Sequence, residues 1–593
     1  MLFDDFDLSI LVKVLAIIGL LCIASEGYFL ATVQGATEFE TSVYTAYPFA
    51  FWLCFGLLVT VAVSIYAVST MTHSAGWRWG LVFAMSAYAI LFSLPFFRGY
   101  RLYGRGTSDI LAHFGDIKAI LQTGSVPDTL WYPFEHVLVA ELVQLGLSMR
   151  IAAVFVGWVF TVLYICSIGI AARRFFGDRR ALTAGLCAGT PLLFGTYHIS
   201  LSPSVLSFFW FPMVVVVLEL YRRTKSGRYL AVLIVFLVAT VFFHPVTALF
   251  LVILFVTSSV FGFLFEWWTA RPVSKISLNL GIVGLLSLLS WYMTFTTFEW
   301  AVRSVAYGLL KGHVSPGEAE FSQAVEASLT VPQLVIRFVQ IYGAVFVYLS
   351  IGGAFALYLI YRVVTAKQSY LYTYLSLQFF VGFGLAGVFL NVYLIAFSPI
   401  RVSRYMIVLA VVLVALLLYR CTDTNAQLVP AIVSIIIIAT LLGAGTVYGP
   451  NKHLTHKEYQ GAEFVLRHHN ETVPIRSFSI SYKMEEFVFG TDHPNANRKS
   501  FSVKDKRYSL PRHLGYGRKP NESTARSLGP GYLVTKQFDR KFHKAKYFTE
   551  RQQRAFFHHN KTHIRRLSTE PTVMKIYENG GFEAWYVTNK TKS

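Results

Sequence analysis

The stretch RYLAVLIVFLVATVFFHPVTALFLVILFVTSSVFGFLFEWW (Arg228–Trp268) decides how the rest of the chain is read. A bilayer core about 30 Å thick is crossed by roughly 20 apolar residues in a helix. The run is too long for one such helix and long enough for two. His244-Pro245 stands at its centre. Proline removes a backbone donor and clashes with the preceding turn, so a helix breaks there. The run therefore reads as two spans, 228–243 and 246–267.

The same ruler finds further spans near 9–31, 47–69, 78–97, 150–172, 181–197, 203–221, 277–297, 338–361, 370–396, 403–420 and 428–448. The total is thirteen, or twelve if His244-Pro245 does not divide its run. Lysine and arginine in short loops mark the cytoplasmic side of a membrane protein. The basic loops are Arg173-Arg174-Phe-Phe-Gly-Asp-Arg179-Arg180 and Arg222-Arg223-Thr-Lys225-Ser-Gly-Arg228, with weaker ones at Arg271/Lys275, Arg362/Lys367 and Arg420. Thirteen spans put all of them on one side, and twelve scatter them. Thirteen is therefore preferred, with a cytoplasmic N-terminus and with loops 98–135 and 298–337 outside. Asp4, Asp5 and Asp7 precede the first span, where a cleavable leader carries basic residues.

Composition agrees. Of 593 residues, 55% are hydrophobic and only 14% are charged, with a mean hydropathy of +0.52. Soluble domains carry about a quarter charged residues, so a soluble enzyme and a disordered chain are excluded. The formal charge of +20 is uneven. Residues 1–450 carry 25 Lys+Arg against 19 Asp+Glu, while 451–593 carry 27 against 13. All five cysteines lie in the first part. The chain thus reads as an all-α polytopic membrane bundle of about thirteen transmembrane helices (1–450), followed by a small, basic, extracytoplasmic α/β domain (451–593). Asn-X-Ser/Thr sequons at Asn470, Asn521, Asn560 and Asn589, all in the tail, fit that placement. Within the tail, helices are expected over 458–469 and 546–558, an apolar run over 532–535 and a hairpin joining 573–577 to 582–588. Residues 491–528 read as a long loop.

Loop 98–135 holds the candidate chemistry: Gly104-Arg-Gly-Thr-Ser-Asp109-Ile-Leu-Ala-His113-Phe-Gly-Asp116. Spacing of i, i+4, i+7 places Asp109, His113 and Asp116 on one helical face, with Ser108 as the N-cap. Ile110, Leu111, Phe114, Ile117 and Leu121 form the opposite stripe. Two acids and a histidine on one face can act as a general base or bind a divalent metal, and an interfacial helix whose polar face simply meets water is the plain alternative. Trp131-Tyr-Pro-Phe-Glu-His136 follows, and its proline predicts a bend before a helix over 135–146.

Together with Thr123-Gly124 and Tyr132-Pro133-x-x-His136, this pattern resembles the first external loop of GT-C class membrane glycosyltransferases, in particular their archaeal members. The resemblance implies many transmembrane helices, a catalytic aspartate in that loop and a dolichyl- or polyprenyl-phosphate sugar donor. Ser108 departs from it, since many relatives carry a second acid there. The tail also lacks the Trp-Trp-Asp-Tyr-Gly signature of oligosaccharyltransferases, which favours transfer of a single sugar, mannose being one candidate. Asp109 is then the expected base and Asp116 its runner-up. Arg401 and Arg404 of Ser398-Pro-Ile-Arg401-Val-Ser-Arg404-Tyr405, at the outer end of their helix, suit a carrier phosphate. His136, His244 and Glu326 are further candidates for substrate contact, and His198 sits at another outer helix end. No cofactor is certain, and a divalent metal on Asp109, His113 and Asp116 is possible. The expected partners are the lipid-linked sugar donor, a glycan or glycoprotein acceptor and the bilayer, with no nucleic acid. The chain has no Walker A or Rossmann glycine pattern. The rival reading is a transporter or flippase of lipid-linked sugars, which needs no catalytic carboxylate. A non-catalytic scaffold is a third.

Overall fold

The computed structural model describes residues 8–588 apart from 73–74, 104–107, 193–200, 270–271, 297, 301, 304–305, 307–330, 367–369, 392–398, 448, 496–509 and 517–522. The membrane part is built from α1 (Leu8–Thr32), α2 (Phe49–Thr72) and α3 (Trp77–Phe97). After strand β1 (Leu102–Tyr103) come two short helices, α4 (Asp109–Thr123) and α5 (Phe134–Gln144). The chain then returns through α6 (Met149–Phe176) and α7 (Arg179–Gly189). Next are α8 (Pro203–Phe209), α9 (Phe211–Thr224), α10 (Gly227–Phe243), α11 (Pro245–Thr269) and α12 (Asn279–Tyr292). The last four are α13 (Val331–Ala366), α14 (Tyr370–Asn391), α15 (Pro399–Thr424) and α16 (Leu428–Val447).

Among the described residues, ten of these stretches are long and apolar enough to cross a bilayer, and α10 and α12 are shorter apolar helices. They account for twelve of the thirteen expected segments. The remaining one, 181–197, is met only by the eleven-residue α7, and 193–200 lie outside the described residues. The break in the deciding run is real. Residue His244 is extended (φ −167°, ψ 131°), and Pro245 opens α11, where its missing donor has no partner to lose. Glycine lets neighbouring helices close up: a Cβ on Gly185 of α7 would sit 2.7 Å from the Ile168 carbonyl oxygen of α6. Helix α15 is buried almost throughout from Tyr405 to Leu416 and forms the axis of the bundle. Ile17, Leu21, Val235, Leu286 and Phe383 are more than two-fifths exposed on its outside, as a lipid-facing surface requires.

The two ends of the bundle differ. At one end the basic loops meet: Arg180 binds Asp423 at 2.5 Å, Arg222 donates to the Ser274 carbonyl and Arg223 to that of Arg174. At the other end β1 pairs antiparallel with β2 (His453–Leu454), tying loop 98–135 to the start of the tail.

The tail is a small α/β domain. Helix α17 (His456–His468) starts at a capping box made by Thr455 and Glu458. Strands β3 (Ile475–Arg476), β4 (Gly531–Lys536), β5 (Val573–Glu578) and β6 (Phe582–Val587) form a sheet in the order β3-β4-β6-β5, with β3 parallel to β4 and the other pairs antiparallel. The expected helix over 546–558 is shorter, Glu550–Phe556 (α19), after helix α18 (Lys483–Phe489) earlier in the tail. A Thr549/Gln552 capping box starts α19 late, and extended Phe557 ends it. Helix α20 (Lys561–Thr569) follows.

Candidate active site beneath the tail

Helix α4 carries its apolar stripe as the sequence implies. Ile110, Leu111, Phe114 and Ile117 are buried. Phe114 meets Phe487 of α18 edge-on at 5.9 Å. Ser108 occupies the N-cap with extended backbone, but its side chain makes no capping bond. Gly124, at φ 71°, ends the helix.

The polar face does not simply meet water, because α18 lies along α4. Gly115 permits the approach: a Cβ there would stand 2.7 Å from the Glu486 carbonyl oxygen. Lys118 donates to the Val488 carbonyl at 2.6 Å, and the Thr491 hydroxyl donates to Asp116 Oδ1 at 2.7 Å. Asp109 stays 73% exposed at the lip of the site, where the Lys483 ammonium donates to its carboxylate. Partial desolvation would lift this carboxyl, but the Lys483 hydrogen bond and charge, with His113 and Arg401, hold it below the usual aspartate range.

Asp116, two turns further on, is buried. Burial, opposed by the Thr491 bond and aided by Glu486 and Asp492, pushes its carboxyl up to about 7. His136, fully buried at the start of α5, lies 3.7 Å from Asp116 Oδ2 and 3.0 Å from His113 Nδ1. Burial depresses both imidazoles, His113 to about 4, so they are neutral at pH 7. Tyr132 packs its ring against His113, His136 and His244, at centroid distances of 6.2, 6.1 and 5.8 Å. Two aspartates on one helix thus sit in opposite environments, one open and held below the usual range, the other enclosed and raised toward neutrality.

Ligand atoms of His113, Asp116 and His136 lie within 4.8 Å of one another. A transition-metal ion with bonds of about 2.0–2.2 Å fits donors about 3–3.5 Å apart, and an N,N,O donor set suits zinc or manganese. These residues therefore fit a divalent ion. The set differs from the expected Asp109, His113 and Asp116. Seven residues of helix rise about 10 Å, too far for both short carboxylates to reach one ion, and His136 from the crossing helix takes Asp109's place.

Arg401 is half-buried and within electrostatic reach of Asp109, His113 and His244. Arg404 is not on the rim: it is buried, donates to the Ser204 carbonyl and lies 5.8 Å over the Phe208 ring. Glu326 and His198 fall outside the described residues. Lys483 and Thr491 were not singled out by the sequence, and Tyr132 only as part of the Tyr132-Pro133-x-x-His136 pattern. Lys483 and Thr491 lie far along the chain in the tail, and no local pattern marks them.

No family model matches the chain, and no curated protein matches it. Among solved structures it is similar to the Archaeoglobus fulgidus oligosaccharyltransferase tethered to an acceptor peptide, with 13% identity and a TM-score of 0.48 over 86% of this chain and 74% of that one. A zinc and sulfate complex of that protein aligns at 15% identity and a TM-score of 0.45, over 86% and 73% of the two chains. ArnT from Cupriavidus metallidurans bound to undecaprenyl phosphate aligns at 11% identity and a TM-score of 0.37, over 88% of this chain and all of that one.

Proposed function

We propose that this protein is a membrane glycosyltransferase that moves one sugar from a dolichyl- or polyprenyl-phosphate donor to a hydroxyl of a glycan or glycoprotein acceptor. The N-terminus and the basic loops face the cytoplasm, and the site and tail face outward. The observation that carries this reading is the anionic, exposed Asp109 set beside Lys483 and Arg401 at the end of an apolar bundle. A base and two cations at a membrane surface match a reaction whose donor is half lipid and half phosphate.

In this reaction the acceptor oxygen attacks the anomeric carbon in line with the bond to phosphate. Asp109 takes the acceptor's proton as the new C–O bond forms. The old C–O bond breaks and its electron pair leaves on the phosphate, whose growing charge Arg401 and Lys483 stabilise. The product sugar is inverted. A divalent ion held by His113, Asp116 and His136 supplies further neutralisation of phosphate charge when bound.

Asp109→Asn, purified with unchanged thermal stability, is expected to lose about 10²- to 10⁴-fold in transfer rate, the usual share of a general base. Full transfer by this variant would overturn the assignment. A flippase would instead move the lipid-linked sugar without consuming it, and Asp109→Asn would leave that movement intact. Chelation is expected to depress transfer reversibly, with activity restored by added zinc or manganese, and His136→Ala is expected to abolish that restoration.

A further inference from the structure

The tail carries a surface that sugar transfer does not use. Tyr532, Tyr586 and Met574 are register partners across β4, β6 and β5, so they form one row on a single sheet face. The end of α17 stands beside this row with Phe464, His468 and His469, and the residues enclose a concavity of about 340 Å³. Its floor faces water: Met574 is 45% exposed and Ile576, next along β5, is 39% exposed. The rings are mutually ordered. Phe464 stacks on Tyr577 at 4.4 Å and on His468 at 4.6 Å, and Tyr532 lies 5.2 Å from Tyr586. A shallow aromatic shelf of this kind suits the C–H faces of pyranose rings, which pack on π-surfaces while their hydroxyls stay in water.

Asn470, the first residue of Asn470-Glu-Thr472, sits on the rim of that shelf. Its backbone N–H donates to the Tyr532 hydroxyl at 3.0 Å. Its side-chain carbonyl accepts from the Thr472 N–H at 3.1 Å and from the Thr472 hydroxyl at 2.8 Å. The residue is exposed, and its amide nitrogen is the atom to which a sugar would be joined. The other described sequon differs. Asn560 is the N-cap of α20, where its carbonyl accepts the His563 N–H at 3.0 Å.

We propose that Asn470 is an N-glycosylation site of this protein, and that the first sugars of its glycan fold back over the Tyr532–Tyr586–Met574 row and cover it. The co-reactant is a lipid-linked, phosphate-activated saccharide delivered by a separate transferase. The Asn470 Nδ2–C1 bond forms, the C1–O bond to phosphate breaks, the amide gives up one proton and the phosphate leaves with the electron pair. The inference rests on the outward placement of the tail and not on the chemistry assigned to Asp109.

The test uses the full-length protein from its native membrane. Peptide mass spectrometry is expected to find a saccharide on Asn470, and Asn470→Gln is expected to lose the corresponding mobility shift. Met574→Glu places a charge on an exposed position of the shelf without disturbing the core. It is expected to leave the glycan attached but make it several-fold more susceptible to a glycan-trimming enzyme under native conditions. The tail contains no cysteine, so Ser568→Cys with an impermeant maleimide reports which side it occupies. An unmodified Asn470 in a tail labelled from outside overturns the proposal, as does a tail labelled only after permeabilisation. Unchanged trimming of the Met574→Glu protein overturns the covering of the shelf. Activity of Asp109→Asn is read independently of all three.

Discussion

Asp109 and Asp116 show how little of a carboxylate's behaviour its residue type decides. Both project from one face of α4, yet the Lys483 contact holds the first below the usual aspartate range while burial raises the second to about 7. Lys483 is the residue on which this difference turns. An ion pair with one partner this exposed contributes up to about 1 kcal/mol, so its loss corresponds to roughly 2- to 5-fold. Lys483→Met is expected to cost transfer activity by about that factor, with part of the loss in KM for the donor, and Lys483→Arg is expected to restore most of it. Steady-state kinetics with the donor varied would check this, and an unchanged KM would argue against a cation that meets the phosphate.

At the scale of elements, the decisive contact is α18 lying against α4. It depends on Gly115, because any side chain there would strike the backbone at Glu486. Gly115→Val is expected to push α18 away and take Lys483 and Thr491 with it. Activity should collapse while the bundle keeps its thermal transition, and limited proteolysis should cut the tail faster. The same contact explains what was legible in the sequence and what was not. The spans were readable because bilayer thickness fixes their length, and the His244-Pro245 break because proline cannot continue a helix. The shared face of Asp109, His113 and Asp116 was readable from helical periodicity. Lys483 and Thr491 reach the site through tertiary packing alone, 374 and 375 residues from their partners. Arg404 looked like a rim residue because sequence gives a helix end but not which side of it faces the interior.

Over the whole molecule, the short basic loops gather at one end of the bundle and the candidate site and tail at the other, and the tail carries a sensitivity to acid of its own. His559 is fully buried and stacked 5.4 Å from Phe478, and burial lowers it to about 4. Unfolded histidine titrates near 6.5, so the neutral ring contributes stability that is complete above that pH and is lost as pH falls toward 4. The loss amounts to about 3 kcal/mol by pH 4. The tail's melting transition in the full-length protein is expected to drop across this window, and His559→Gln is expected to flatten the drop. The pairing of β1 with β2 and the bond from Lys483 to Asp109 also have a consequence for biogenesis. Ribosomes add about 5–20 residues per second, so Lys483 follows Asp109 out of the ribosome after roughly 20–75 s. Until then loop 98–135 has neither its strand partner nor its cation. A nascent or truncated chain, even one fully inserted in the membrane, therefore presents an unassembled site, and the proposed activity would be switched on only when synthesis reaches the tail.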